Sequence, residues 1–162
     1  MKAKPTAKTR VGGAGGGGVG GRRVDEAALA AFGAEFARGL RPPAVVAIAG
    51  ELGSGKTTLV RAIAAGLGVT EPVTSPTFAL VHRYRGSAVE VYHVDAYRLR
   101  RPEDGADLGL DEMAAQRDAV VLIEWPERLG REMPAAHYRI RLAYDDDPLW
   151  RTVDLERAGT AG

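Results

Sequence analysis

Residues 44–59 read AVVAIAGELGSGKTTL. The run Ala44–Ala49 is apolar without a break, the pattern of a strand buried on both faces of a parallel sheet. Gly50, Gly55, Lys56 and Thr57 then fit the spacing G-x-x-x-x-G-K-[ST]. The glycines let the backbone curl until successive N–H groups point at one anion. The helix expected from there to about Leu67 adds its positive N-terminal end. Lys56 is placed to reach the β- and γ-phosphates, and the Thr57 hydroxyl to ligate Mg²⁺. An apolar strand before the loop and a helix after it are the context the chemistry needs.

Downstream, Thr70–Pro76 (TEPVTSP) reads as a turn-rich loop. Phe78–Arg85 and Val89–Asp95 alternate around Gly86–Ser87 as an antiparallel hairpin. Residues 99–118 suit short helices and loops. Ala119–Glu124 (AVVLIE) is a second buried strand, Pro126–Met133 a short helix, and Tyr138–Tyr144 with Trp150–Leu155 two final strands around the acidic turn Asp145–Asp147. Upstream, Val24, Ala28, Leu29, Phe32, Phe36 and Leu40 keep helical spacing, with Asp25 as the expected N-cap. The expected fold is α/β: a P-loop NTPase-like three-layer domain over residues 24–157. Its central sheet is mostly parallel, with an antiparallel hairpin and C-terminal strands.

Residues 1–23 are of another kind. Eight of the eleven residues Val11–Gly21 are glycine, too little apolar surface to offset ordering entropy. They are read as a disordered basic tail, and residues 158–162 as a flexible C-terminus. The tail holds six of the 22 basic residues and none of the 21 acidic ones, so the remainder is acidic despite a net charge of +1. A broad nucleic-acid-binding surface implies the opposite balance. No apolar run nears the roughly 18–20 residues that span a membrane. The absence of cysteine rules out disulfides and thiolate sites and is compatible with a reducing, cytoplasmic setting.

Several residues around the loop carry candidate chemistry. Glu124 ends a strand, where parallel sheets gather ligands; it can hold Mg²⁺ or polarise the attacking water. Asp95 ends another apolar alternation and either faces the metal or the γ-phosphate, or caps the strand or pairs with Arg98. His93 shares its strand face, with no histidine cluster to suggest zinc. Thr77, in Ser75–Pro76–Thr77–Phe78, sits where switch loops sense a γ-phosphate. Trp125 is core, a partner surface or a neighbour of the site. Lys56 is the only lysine outside residues 1–23, in a chain that otherwise uses arginine. Asparagine is absent, which removes the N-K-x-D guanine reader, and no LSGGQ-type signature is present. A small-molecule kinase, with Arg98–Arg101 (RLRR) as a lid, remains the alternative to an ATPase.

The order GELGSGKTTLVRAIAAGLGV, VTSPTFALVHRYRG, VYHVDAYRL, LGLDE and IEWPERL resembles the TsaE (YjeE) family over residues 24–155. The resemblance implies a small bacterial ATPase needed to make threonylcarbamoyladenosine beside the anticodon of tRNA. Such a protein does not transfer the threonylcarbamoyl group; it docks on a TsaB–TsaD heterodimer and so meets tRNA only through that complex. It further implies that ATP and Mg²⁺ are the cofactors. The run Gly50–Glu51–Leu52–Gly53–Ser54–Gly55–Lys56–Thr57–Thr58 would hold the phosphates, and Thr57 and Glu124 the metal. Lys56, Asp95 and Glu124 would be catalytic, Thr77 part of a switch-like loop, and Trp125 beside the nucleotide. Arg151 is a further candidate contact. The helix near the N-terminus would lie near the adenine, although VGGRRVDEAALA lacks the threonine-containing stretch usual there.

Overall fold

The computed structural model describes residues 18–76 and 78–159. The stretches named above become strands of a single sheet; the apolar runs Ala44–Ala49 and Ala119–Glu124 lie at its middle, where both faces are buried. In chain order the strands are β1 (Gly18–Val24), β2 (Ala44–Gly50), β3 (Val81–Arg85), β4 (Glu90–Asp95), β5 (Ala119–Glu124), β6 (Tyr138–Tyr144) and β7 (Arg151–Arg157). They lie side by side as β1-β7-β6-β2-β5-β4-β3. β2 runs parallel to both β5 and β6, and β4 parallel to β5. The outer pairs β3–β4, β6–β7 and β1–β7 are antiparallel. The parallel centre sends Gly50, Asp95 and Glu124 to one edge of the sheet, and the site forms at that edge.

Strand alternation sorts the core into two layers. Val46 and Ile48 of β2, Val120 and Leu122 of β5 and Ile140 of β6 pack with Leu59, Ile63 and Leu29. This layer lies beneath α1 (Glu26–Gly39) and α2 (Lys56–Gly66). Val45, Ala47, Val94, Val121 and Ile123 point the other way, against Leu99, Leu110 and Leu129. That side is covered by α3 (Leu110–Ala115) and two 3-10 segments, Pro102–Leu108 and Pro126–Glu132. The three layers hold over the parallel centre. Along β6, Arg139 and Arg141 alternate outward and are exposed, so that part of the sheet has one covered face.

α1 starts where its cap predicts: the Asp25 carboxylate accepts the Ala28 amide at 2.7 Å. α1 and α2 approach closely because glycines line the contact. A Cβ on Gly33 would stand 2.7 Å from Ala62 Cβ, and one on Gly66 2.6 Å from Ala37 Cβ.

β1 takes in residues ahead of the expected boundary at Val24. Gly18–Arg23, read from sequence as tail, continue β1 along β7, with an irregularity between Val19 and Arg22. Backbone ladder bonds need no side chain, so a glycine run can add to an open sheet edge although it offers no core. At Gly21 a Cβ would come within 3.2 Å of the Asp154 carboxylate. Residues 1–17 and 160–162, including most of the expected tail, lie outside the described residues. At the other end, the Ala158 amide is bonded to the His137 carbonyl at 2.9 Å. β3 starts at Val81 rather than Phe78. Phe78 itself is 87% exposed and lies under the Arg98 guanidinium, 5.2 Å from its ring centre.

Candidate functional site

The loop from Gly50 to Thr57 takes a conformation that its glycines alone permit. Gly55 has φ +104, a left-handed backbone. A Cβ on Gly50 would meet the Ser54 hydroxyl at 2.5 Å and the Leu142 carbonyl at 2.8 Å. α2 begins at Lys56 with no side-chain cap and no acid in its first turn. Its first amides therefore remain available to an anion. The buried Ser54 hydroxyl has no hydrogen-bond partner among the described residues.

Lys56 folds back over this loop. Its Nζ donates to the Gly50 carbonyl at 2.5 Å and the Glu51 carbonyl at 2.7 Å. It also lies 4.2 Å from the centre of the Trp125 ring. Burial lowers the ammonium pKa, opposed by the surrounding carboxylates of Glu124, Glu127, Asp95 and Glu51. Trp125 reaches this position because its backbone is left-handed, φ 57. That conformation costs a residue other than glycine about 1–2 kcal/mol. Tyr97 backs the indole at 5.0 Å between ring centres.

Thr57 and Glu124 meet. The Thr57 hydroxyl donates to Glu124 Oε1 at 3.1 Å and lies 3.3 Å from the Ser75 hydroxyl. Glu124 Oε2 is 2.5 Å from His93 Nε2. Asp95 stands opposite Glu124 in the β4–β5 register, and its carboxylate accepts the Tyr97 amide at 3.0 Å. Burial raises the Asp95 pKa; the Tyr97 hydrogen bond opposes this and the Glu124 charge adds to it.

Ser75 is held near Thr57 by its own loop. Arg61 donates to the Val73 carbonyl at 2.9 Å, and the Thr74 amide to the Tyr84 hydroxyl at 3.2 Å. Thr77 lies outside the described residues. On the far side of the loop the Tyr144 hydroxyl donates to the Leu52 carbonyl. Arg151 lies 4.5 Å over the Tyr144 ring and points to the Gly53 carbonyl. Between these strand ends and the start of α1 opens a cavity of about 560 Å³, lined by Asp25, Leu29, Gly53, Thr58, Trp150 and Arg151 among others.

A glycine-lined anion cradle, a folded-back lysine and a hydroxyl–carboxylate pair thus converge at one sheet edge. The family model described as "Threonylcarbamoyl adenosine biosynthesis protein TsaE" matches residues 24–153. The chain belongs to the TsaE family. It is 36% identical over 136 residues to the tRNA threonylcarbamoyladenosine biosynthesis protein TsaE of Haemophilus influenzae, covering 81% of this chain and 84% of that one. It is 39% identical over 106 residues to the protein of the same name from Nostoc sp., and that match spans 64% of each chain. Among solved structures, Bacillus subtilis YdiB superposes with a TM-score of 0.73 at 28% identity, over 86% of this chain and 85% of that one.

In this TsaE-family chain Lys56 lies against Trp125 and Thr57 against Glu124, which stands beside Asp95 in the strand register. Arg151 stands on the opposite side of the loop, at the cavity. Sequence reasoning missed three participants. Ser75 was passed over for Thr77, its neighbour in the same loop. From sequence His93 reads only as a candidate metal ligand, although H-x-D on a strand places His93 and Asp95 on one face, beside a strand that ends in Glu124. The cavity wall formed by Asp25 and Trp150 carried no local signal, since those residues are 125 positions apart.

Proposed function

We propose that the chain is a Mg²⁺-dependent ATPase of weak intrinsic activity. It serves the formation of threonylcarbamoyladenosine beside the anticodon of tRNA, acting in the cytoplasm through a TsaB–TsaD-like heterodimer, and does not transfer the threonylcarbamoyl group itself. The observation that carries the reading is the meeting of Thr57 with a buried Glu124 at the foot of the cradle. That pairing of hydroxyl and carboxylate beside a loop lysine suits a metal–phosphate site better than a packing role.

The residues present fit both groups. Thr57 and Glu124 offer two oxygens to Mg²⁺, and Ser54 has hydrogen-bonding capacity to spare. Mg²⁺ held there would neutralise charge on the β- and γ-phosphates. Lys56 exchanges its bonds to the Gly50 and Glu51 carbonyls for phosphate oxygens when the nucleotide enters. The first amides of α2 bind the phosphates, and Trp125 keeps water from the Lys56 ammonium. Asp95 and Glu124 stand where an attacking water would be oriented. The cavity beside Thr58 and Gly53 has the volume of a small-molecule site and is the place for the base, with Arg151 and Trp150 as its wall. No helix among the described residues is long and apolar enough to cross a membrane.

The test is phosphate release from ATP with no acceptor, by the chain alone and with a purified TsaB–TsaD heterodimer. Slow release, accelerated by the heterodimer and abolished by Lys56→Ala, is expected. In a parallel reaction supplied with a mixture of small-molecule acceptors, a phosphorylated acceptor, with no free phosphate when acceptors are left out, would establish the kinase alternative.

A further inference from the structure

The reaction just proposed leaves His93 without a role. It sits in the middle of β4, fully buried, opposite Leu122 of β5 and one step back from the Asp95–Glu124 pair. Its alternation partner Val91 packs in the core beneath α1 and α2, where an aliphatic side chain would cost no polar desolvation. An imidazole there must recover that cost through hydrogen bonding.

It does so at one atom. Nε2 lies 2.5 Å from Glu124 Oε2, while Nδ1 has no partner among the described residues. An Nε2 facing a carboxylate at that distance must carry the hydrogen, since otherwise two lone pairs would oppose each other. The contact with Glu124 therefore calls for the imidazole hydrogen at Nε2, and no partner among the described residues holds one at Nδ1. The Glu124 carboxylate is then gripped from two sides, by His93 through Oε2 and by Thr57 through Oε1. Neither carboxylate oxygen is free to rotate away, and the oxygen facing Thr57 is set in place before any ligand arrives.

We propose that His93 is a positioning residue. Its Nε2–H fixes the Glu124 carboxylate so that Thr57 and Glu124 form a preset pair for the metal that accompanies the nucleotide. The proposal rests on the functional reading above. Partners that orient metal-binding groups in this way are typically worth 10- to 100-fold in metal affinity or activity.

Two measurements on the full chain test it. Without metal or nucleotide, a long-range proton–nitrogen NMR spectrum reports the tautomer of each of the three histidines; His93 is expected as Nε2–H. Second, calorimetry measures ADP affinity in EDTA and in Mg²⁺ for wild type, His93→Leu and His93→Gln. Leucine should leave metal-free ADP binding intact and reduce the Mg²⁺-dependent gain about 10- to 100-fold. Glutamine, whose amide reaches the Nε2 position, should restore most of that gain. His93→Asn, too short to reach Glu124, replaces the leucine variant if the latter does not fold. An Nδ1–H tautomer, or a wild-type Mg²⁺ gain in the leucine or asparagine variant, would overturn the assignment and leave the ATPase reading standing. A wild-type chain with no Mg²⁺-dependent ADP binding would overturn the ATPase reading and this one with it.

Discussion

Thr57→Val changes a hydroxyl to a methyl at nearly constant volume, and it does so at the atom on which the site turns. Glu124 is only 2% exposed, so water cannot replace the donor that is lost. A hydrogen bond to a charged group contributes about 1.5–3 kcal/mol. The second contact, to Ser75 at 3.3 Å, joins two neutral groups at the limit of bonding distance and adds little. The expected loss is therefore the Glu124 bond. For a domain of this size it lowers Tm by something on the order of 3–12 °C. Calorimetric melting in EDTA measures that loss free of any ligand effect. Titration of ADP with and without Mg²⁺ then measures the functional loss: metal-free affinity held by the loop amides and Lys56, Mg²⁺-dependent affinity reduced. Thr57→Ser keeps the hydroxyl and removes one half-buried methyl, at most about 0.8 kcal/mol, and should retain the Mg²⁺ response. A valine variant that melts with wild type and still responds to Mg²⁺ would refute the pairing of Thr57 with Glu124 as the metal-facing unit.

Three other outcomes follow from the same geometry. Glu124→Ala should cut Mg²⁺-stimulated phosphate release by about 10²- to 10⁴-fold, the span of a positioned acid–base group; undiminished release at saturating ATP would remove Glu124 from the site. Asp95 has a folded pKa raised by burial, so its contribution favours the fold below the ordinary aspartate pKa of about 3.9 and is lost as pH rises through the folded value. Asp95→Asn, which keeps the bond from the Tyr97 amide, should therefore raise Tm at neutral pH, lose that advantage near pH 4, and abolish hydrolysis. A neutral-pH Tm below wild type would contradict the burial argument. Gly33→Ala forces a methyl to within 2.7 Å of Ala62 at the α1–α2 contact and should cost about 1–3 kcal/mol, read as a lower urea midpoint at unchanged m-value.

The two innermost strands, β2 and β5, could be read from sequence because they are nearly uninterrupted apolar runs, and a strand buried on both faces leaves no room for alternation. The capped start of α1 could be read because Asp25 bonds an amide three residues away, within the range that a local pattern spans. β1 could not. Three of its seven residues are glycine, and it is held by ladder bonds to β7, whose partner residues lie more than 120 positions downstream. The short segments over the second face read from sequence only as loops and short helices; that Leu99, Leu110 and Leu129 share one apolar surface is a tertiary fact no local pattern carries.

By itself the sequence determined which chemistry is possible. A lysine in a glycine loop with a following hydroxyl sets amides, ammonium and hydroxyl within a few residues, the set of donors that an anion calls for. Which acid stands beside that loop was decided by tertiary structure. Parallel pairing of β2, β4 and β5 brings Asp95 and Glu124 to the loop and leaves His93 beneath them. Carboxylates 29 positions apart in the chain acquire a shared environment only when the register of adjacent strands sets them side by side.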